Sequence, residues 1–214
     1  LEWVTPKNIK AICKQKVGSL SKKTIIYVGK QEAKTLKIIK EILKKNPSKK
    51  IFYGNAWTIK REGKIRIYSD KKGKIILKSK KILSEGIWQN VGLAIKVARD
   101  LNISEKNILK AITKVHFEGR LQYINNGKLR KLLFPREKLL IDGCHSEASG
   151  KNLSDYLKLL NNKEIYGIWG MQNSKHPELF IKQFKGVFKK IVVVKIPDEP
   201  NACEPQKLKK LVKQ

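Results

Sequence analysis

The sequence is poor in cysteine, methionine, arginine and acidic residues, and it has no long apolar run. Its three cysteines, Cys13, Cys144 and Cys203, are odd in number and widely spaced. That suits neither a disulfide framework nor a zinc knuckle, so reduced thiols are expected. The longest aliphatic run, Ile191 to Val194, is far too short for a transmembrane helix, and no membrane partner is expected. The opening Leu1-Glu2-Trp3-Val4-Thr5-Pro6 has neither a basic stretch nor an unbroken apolar segment. It does not read as a secretory signal, which leaves a cytoplasmic location as the expectation. Met171 is the sole methionine and the sequence closes on a predicted helix, Gln206 to Gln214, which together suggest an incomplete chain.

Negative charge is the largest deficit, since 18 acidic residues face 48 basic ones, for a net charge of +30 at pH 7. Clustered cations release counterions from phosphates, so such a balance raises a basic nucleic-acid-binding module as one reading. Only six of the basic residues are Arg, however, and the forty-two Lys are spread over almost every segment. Nucleic-acid sites favour Arg forks and interleaved aromatics, whereas AT-rich codon usage alone yields a Lys-rich, Ile-rich chain. No specific nucleic-acid partner is expected.

What is present is a globular composition. With 214 residues and 41% hydrophobic content, the chain can bury a core as one large or two small domains. Thr24 to Val28 is a short β-rich run ended by Gly29, and Ala33, Leu36, Ile39 and Leu43 repeat at helical spacing until Asn46-Pro47. Ile51 to Tyr53, Trp57 to Ile59, Ile65 to Tyr68 and Ile75 to Leu77 follow, separated by turn residues, and predict a small β meander. Val91, Ala94, Ile95, Ala98 and Leu101 form one apolar stripe. Ser104 can cap a second helix carrying Ile108, Ala111, Ile112 and Val115. A domain boundary is expected near Gly119-Arg120, giving domains 1–119 and 120–214. Beyond it, strands at Leu139 to Ile141, Ile165 to Trp169 and Ile191 to Val194 alternate with helices after Ser146, Pro177 and Pro205. Alternation of this kind predicts an α/β domain with a mostly parallel sheet covered on both faces and ligands at the carboxyl ends of its strands.

Asp142-Gly143-Cys144-His145 stands where a strand gives way to a helix, projecting a carboxylate and an imidazole from the sheet edge. Helix capping by Asp142 and Ser146 would account for Asp142 alone, less well for His145. A Cys144-His145 nucleophilic pair is discounted, because adjacent turn residues diverge and no orienting third group is evident. His116, His145 and His176 have no metal-ligand spacing. Arg120 in the linker could reach a phosphate with two parallel hydrogen bonds, though taken alone it reads as a solvated residue. Ile12 to Gly18 reads as a helix end with Gly18 as its cap, and Lys16 within it as a surface lysine.

Taken in order, these segments resemble the folylpolyglutamate synthase and dihydrofolate synthase family of the Mur-ligase superfamily. The family's Lys-Ala-Gly-Ile stretch and following Gly-x-Gln are matched by Ile12 to Ser19 and Val28-Gly29-Lys30-Gln31. Its helix-opening Gln and Asn resemble Trp88-Gln89-Asn90-Val91. Its interdomain Pro-Gly-Arg-x-Gln looks like Glu118-Gly119-Arg120-Leu121-Gln122, and its Asp-Gly-Ala-His-Asn-Pro looks like Asp142-Gly143-Cys144-His145-Ser146-Glu147. A strand ending in Gly-Met fits Gly170-Met171. The family's phosphate-binding glycine loop is not in these 214 residues, which makes an internal fragment or a degraded gene product the expectation.

The resemblance implies the end of a central ATPase domain with a small β meander, then a Rossmann-like α/β carboxyl-terminal domain. It implies a monomeric, ATP-dependent and Mg2+-dependent ligase adding L-glutamate to a folate or dihydropteroate carboxylate through an acyl phosphate. By that resemblance Arg120 is the interdomain cation, Asn90, Arg120 and Asp142 bind the nucleotide, and His145 supports the same pocket. Lys16 is the counterpart of a lysine carboxylated by carbon dioxide to hold a metal, which requires partial burial at the edge of an interdomain cleft. All are expected to converge around one nucleotide-sized hollow. The alternatives are a non-catalytic remnant, a cell-wall Mur-type amino-acid ligase, and the nucleic-acid-binding module.

Overall fold

The computed structural model describes residues 8–18, 20–21, 23–160 and 163–212. The readings of Leu1 to Pro6, of Ser19 and of the last two residues of the predicted carboxyl-terminal helix lie outside these. The chain is mixed α/β and divides into two units, Leu1–Ile82 with Ile87–Val115, and Leu83–Gly86 with His116–Gln214. Among the described residues no helix is long and apolar enough to cross a membrane.

The first unit runs α1 (Ile9–Gly18), β1 (Ile26–Val28), α2 (Ala33–Leu43), β2 (Lys50–Phe52), β3 (Trp57–Glu62), β4 (Ile65–Asp70), β5 (Gly73–Leu77), α3 (Glu85–Asp100) and α4 (Glu105–Lys114). The helical spacing seen from Ala33 to Leu43 is α2, which lays Leu36, Ile39 and Leu43 against Ile26 and Val28. The run at Ile51 to Tyr53 is not a fourth meander strand. As β2 it pairs in parallel with β1, Tyr27 opposite Ile51, so that β1, α2 and β2 form a βαβ unit. Gly54, with φ of 90°, then turns the chain into the meander. Strands β3, β4 and β5 make that meander in the order β3-β4-β5, all antiparallel. Asp70 closes its second turn by accepting the Lys72 N–H at 2.9 Å.

The meander's inner face carries Trp57, Ile59, Tyr68, Ile75 and Leu77, packed with Trp88, Val91 and Ile95 of α3 and Ile108 and Ile112 of α4. Each such fully buried apolar side chain contributes about 1.5–3 kcal/mol. The face that α3 buries differs from the apolar stripe read in sequence: Ala94 is exposed and Leu101 is 69% exposed, while Lys96 and Arg99 are buried. Two contacts rotate the helix. Gly92 sits where a Cβ would lie 2.8 Å from both Ile59 and Trp57, so the backbone itself meets the sheet. Arg99 is drawn inward by Asp70 at 2.6 Å, the Gly73 carbonyl at 3.0 Å and Glu105 at 3.2 Å. The phenol of Tyr68 donates to the same Asp70 carboxylate at 2.9 Å, and burial, reinforced by that bond, pushes its pKa far above the ordinary value. Removing one partner of a buried pair of this kind destabilises by about 3–5 kcal/mol. Ser104 caps α4 as expected, accepting the Asn107 N–H.

The second unit contains β6 (Gln122–Ile124), α5 (Lys128–Lys131), β7 (Leu139–Ile141), α6 (Glu147–Lys158), β8 (Tyr166–Trp169), a 3-10 turn at Asn173–Lys175, α7 (Pro177–Lys182), β9 (Lys190–Val193) and α8 (Pro205–Val212). Its core joins Leu157, Met171, Phe180 and Phe184. Trp169 stacks on Phe180, and Gly150 of α6 lets Phe180 approach to within 3.0 Å of where its Cβ would be. The expected parallel pairing holds for β8 and β9, but β7 pairs antiparallel with β6. Nor is the sheet covered on both faces: Ile168 is 80% and Val192 50% exposed. Among the described residues helices cover the face bearing Trp169, and burial alternates along both strands.

Gly92→Ala drives a methyl group into Ile59 and Trp57 and is expected to lower stability by about 1–3 kcal/mol in urea unfolding, with an unchanged slope. Unaltered stability would show that α3 does not rest on the sheet through its backbone.

Candidate functional site

The start of β6 lies beside the end of β7, with Gln122 opposite Ile141. The chain just before β6 and just after β7 therefore stays in contact, and this is where the Gly-Arg-x-Gln and Asp-Gly-x-His segments meet. The Gly143 N–H donates to the Gly119 carbonyl at 2.7 Å. Asp142 accepts twice: from the Leu121 N–H at 2.7 Å through Oδ2 and from the Cys144 N–H at 2.8 Å through Oδ1. Gln122 folds back through Oε1 to accept the Gly119 N–H at 2.8 Å. The exposed Arg120 has Nη1 3.2 Å from the point a Cβ on Gly143 would occupy.

Asp142 is thus not a helix cap. That task falls to Ser146, whose hydroxyl accepts the Ser149 N–H in a reciprocal capping box at the start of α6. Cys144 is poorly suited to be a nucleophile. Burial raises its thiol pKa well above the ordinary value and Asp142 raises it further, with Arg120 in opposition, so the thiol stays protonated. His145 is exposed, with Nδ1 3.0 Å from the Gly143 carbonyl. A carbonyl only accepts, so this contact requires Nδ1 to carry a proton.

The structure thus brings Arg120, Asp142 and His145 together within the second unit. Asn90 and Lys16 belong to the first. Asn90 is exposed on α3 between the buried Trp88 and Val91. Trp88 is a core residue, its indole N–H donating to the Ile82 carbonyl at 3.1 Å and its ring lying under Arg66. Lys16, in the last turn of α1, is exposed rather than partly buried. Helix α1 buries little of its surface: Cys13 is its one buried residue. Sequence reasoning missed Leu121, which is 4% exposed yet left-handed at φ 44°. Leucine disfavours that conformation, so no sequence signal marks it. Among the described residues, no group of three or more His, Cys, Asp or Glu side chains could hold a metal ion.

The imidazole assignment is testable by 15N NMR at neutral pH. His145 is expected to show a protonated Nδ1; an unprotonated Nδ1 would mean that the bond to Gly143 is not made.

No family model and no curated protein matches the sequence. Solved structures do match the fold. The chain is similar to E. coli FolC in complex with DHPP and ADP, at TM-score 0.82 and 18% identity over 99% of this chain and 48% of that one. It is similar to the Mycobacterium tuberculosis folylpolyglutamate synthase complexed with ADP and AMPPCP, at TM-score 0.77 and 16% identity over 99% and 48%. The Thermotoga maritima folylpolyglutamate synthase gives TM-score 0.72 and 18% identity over 98% and 49%. The chain spans about half the length of each of these structures, and across that span its fold is that of a folylpolyglutamate synthase/dihydrofolate synthase.

Proposed function

We propose that the chain is part of an ATP-dependent ligase that joins L-glutamate to a folate or dihydropteroate carboxylate. One observation carries the reading. The fold match extends over 99% of the chain to structures described with ADP and DHPP bound, and Arg120 and Asp142 lie in one fastened loop pair within it. In the proposed reaction a carboxylate oxygen attacks the γ-phosphorus of ATP and the bond to ADP breaks. The amine of glutamate then attacks the acyl phosphate, sheds a proton and expels inorganic phosphate.

The obstacle is charge, because carboxylate and triphosphate repel each other. Arg120 supplies a planar, permanently charged fork that can bind a phosphoryl group through two hydrogen bonds. Asp142 and Asn90 are proposed to meet the nucleotide, each oxygen of Asp142 keeping a lone pair beyond its backbone bond. His145 is proposed to support the same pocket. Magnesium, when bound, would offset phosphate charge, and the described residues bring together no cluster of donors to hold it. Burial is the condition for carboxylating Lys16, and its exposure leaves that role without support. The same exposure favours a second reading, a remnant that folds without turning over substrate. As a ligase, the protein is proposed to act as a monomer on small molecules.

The test mixes the chain with a polypeptide that supplies the phosphate-binding glycine loop and follows ADP release. Release that requires glutamate and falls about 10³-fold in Arg120→Ala is expected. Release indifferent to glutamate, or unaltered in Arg120→Ala, would sink the ligase reading, and no release at all would favour the remnant.

A further inference from the structure

The loop pair that precedes β6 and follows β7 has a feature that nucleotide binding does not explain. Leu121 follows Arg120 directly, and it is buried in a left-handed conformation that leucine avoids. A bulky residue stays in such a region only where its surroundings over-determine it, and segments held this way gather at functional sites. Here the surroundings are identifiable. The Leu121 N–H is bonded to the Asp142 carboxylate at 2.7 Å, and on the other side of Arg120 the Gly119 carbonyl accepts the Gly143 N–H at 2.7 Å. Gln122 secures Gly119 from behind at 2.8 Å. Arg120 is therefore gripped at both of its neighbours by the successive residues Asp142 and Gly143. Its guanidinium lies so close to Gly143 that a side chain there would meet Nη1 at 3.2 Å.

We propose that Asp142 is a positioning residue for Arg120, holding the strained Gly119-Arg120-Leu121 turn through its carboxylate while Gly143 leaves room for the guanidinium. The inference rests on the ligase reading for the use made of Arg120, but not for the fastening itself. A carboxylate suits the task for two reasons. A bond to an ionised acceptor is roughly twice as strong as a neutral one, and Asp142 can receive the Leu121 and Cys144 amides on separate oxygens. An asparagine in its place could turn only one oxygen toward these two donors.

The experiment uses the full chain, 15N-labelled, as wild type, Asp142→Asn, Arg120→Ala and the double variant. Two quantities are measured: amide hydrogen exchange at Leu121 and the dissociation constant for ADP. Asp142→Asn is expected to speed exchange at Leu121 about tenfold or more, leaving Ile168 in β8 unchanged. It is expected to weaken ADP binding, with the loss in the double variant smaller than the sum of the Asp142→Asn and Arg120→Ala losses. Unchanged exchange at Leu121 overturns the proposal. So does fully additive weakening in the double variant, which would mean that the carboxylate does nothing for Arg120. If wild type binds no ADP even with the loop-supplying polypeptide added, the ligase reading fails, and exchange alone decides the fastening. Should Asp142→Asn fail to fold, Asp142→Glu replaces it: the longer carboxylate keeps the charge, and exchange intermediate between wild type and full release supports the proposal, whereas wild-type exchange overturns it.

Discussion

Backbone amides bonded to one carboxylate are the constraint on which the candidate site depends. Asp142 stands one residue beyond β7, and the antiparallel pairing of β6 with β7 delivers it to the turn that precedes β6. Without that bond, nothing in the local sequence would keep Leu121 left-handed, since its intrinsic preference is for the extended and right-handed regions. The position of Arg120, the room left by Gly143 and the orientation of His145 through the Gly143 carbonyl all follow from the same juncture. Two strands of three residues thus do more than close a small sheet: they set the spacing at which two separated segments become one site.

The first unit handles charge differently. Lysines are abundant over the whole chain, and most read as solvated. Arg99 and Lys96 are exceptions, buried because carboxylates meet them: Asp70 and Glu105 for Arg99, Asp100 for Lys96. Asp100 also accepts the Tyr27 phenol at 2.9 Å, which ties α3 to β1. These bonds fasten one end of α3 while the apolar face of the meander holds its middle. With so few acidic residues in the chain, the placing of three of them around two cations is informative: a buried cation is tolerated only when paired.

Much of the fold could be read from residue order. Helix α2 coincides with its apolar repeat, Ser104 and Ser146 stand at helix starts, and β7 spans the three residues whose run of aliphatics marked it. The errors share a cause. The run at Ile51 looked like its meander neighbours because a short apolar strand does not specify its partner; its parallel pairing with β1 is a long-range fact. The stripe on α3 was rotated because Ala and Leu were assumed to face inward and Lys and Arg outward, whereas the partners of Lys96 and Arg99 lie elsewhere in the chain. Lys16 was expected to be partly buried because resemblance supplied a role, but α1 turns that position to solvent.

Residue order alone carried the α/β character, the limits of α2, the starts of α4 and α6, and the residue types at the site: a guanidinium, a carboxylate and an imidazole in two short segments. Those are local properties, written in spacing and in turn chemistry. Only the tertiary structure decided that Asp142 grips the backbone beside Arg120, that Leu121 is forced left-handed and that β7 runs antiparallel to β6. The physical reason is that a hydrogen bond between residues twenty-one apart has no periodicity to announce it. It exists once strand pairing has carried donor and acceptor within reach.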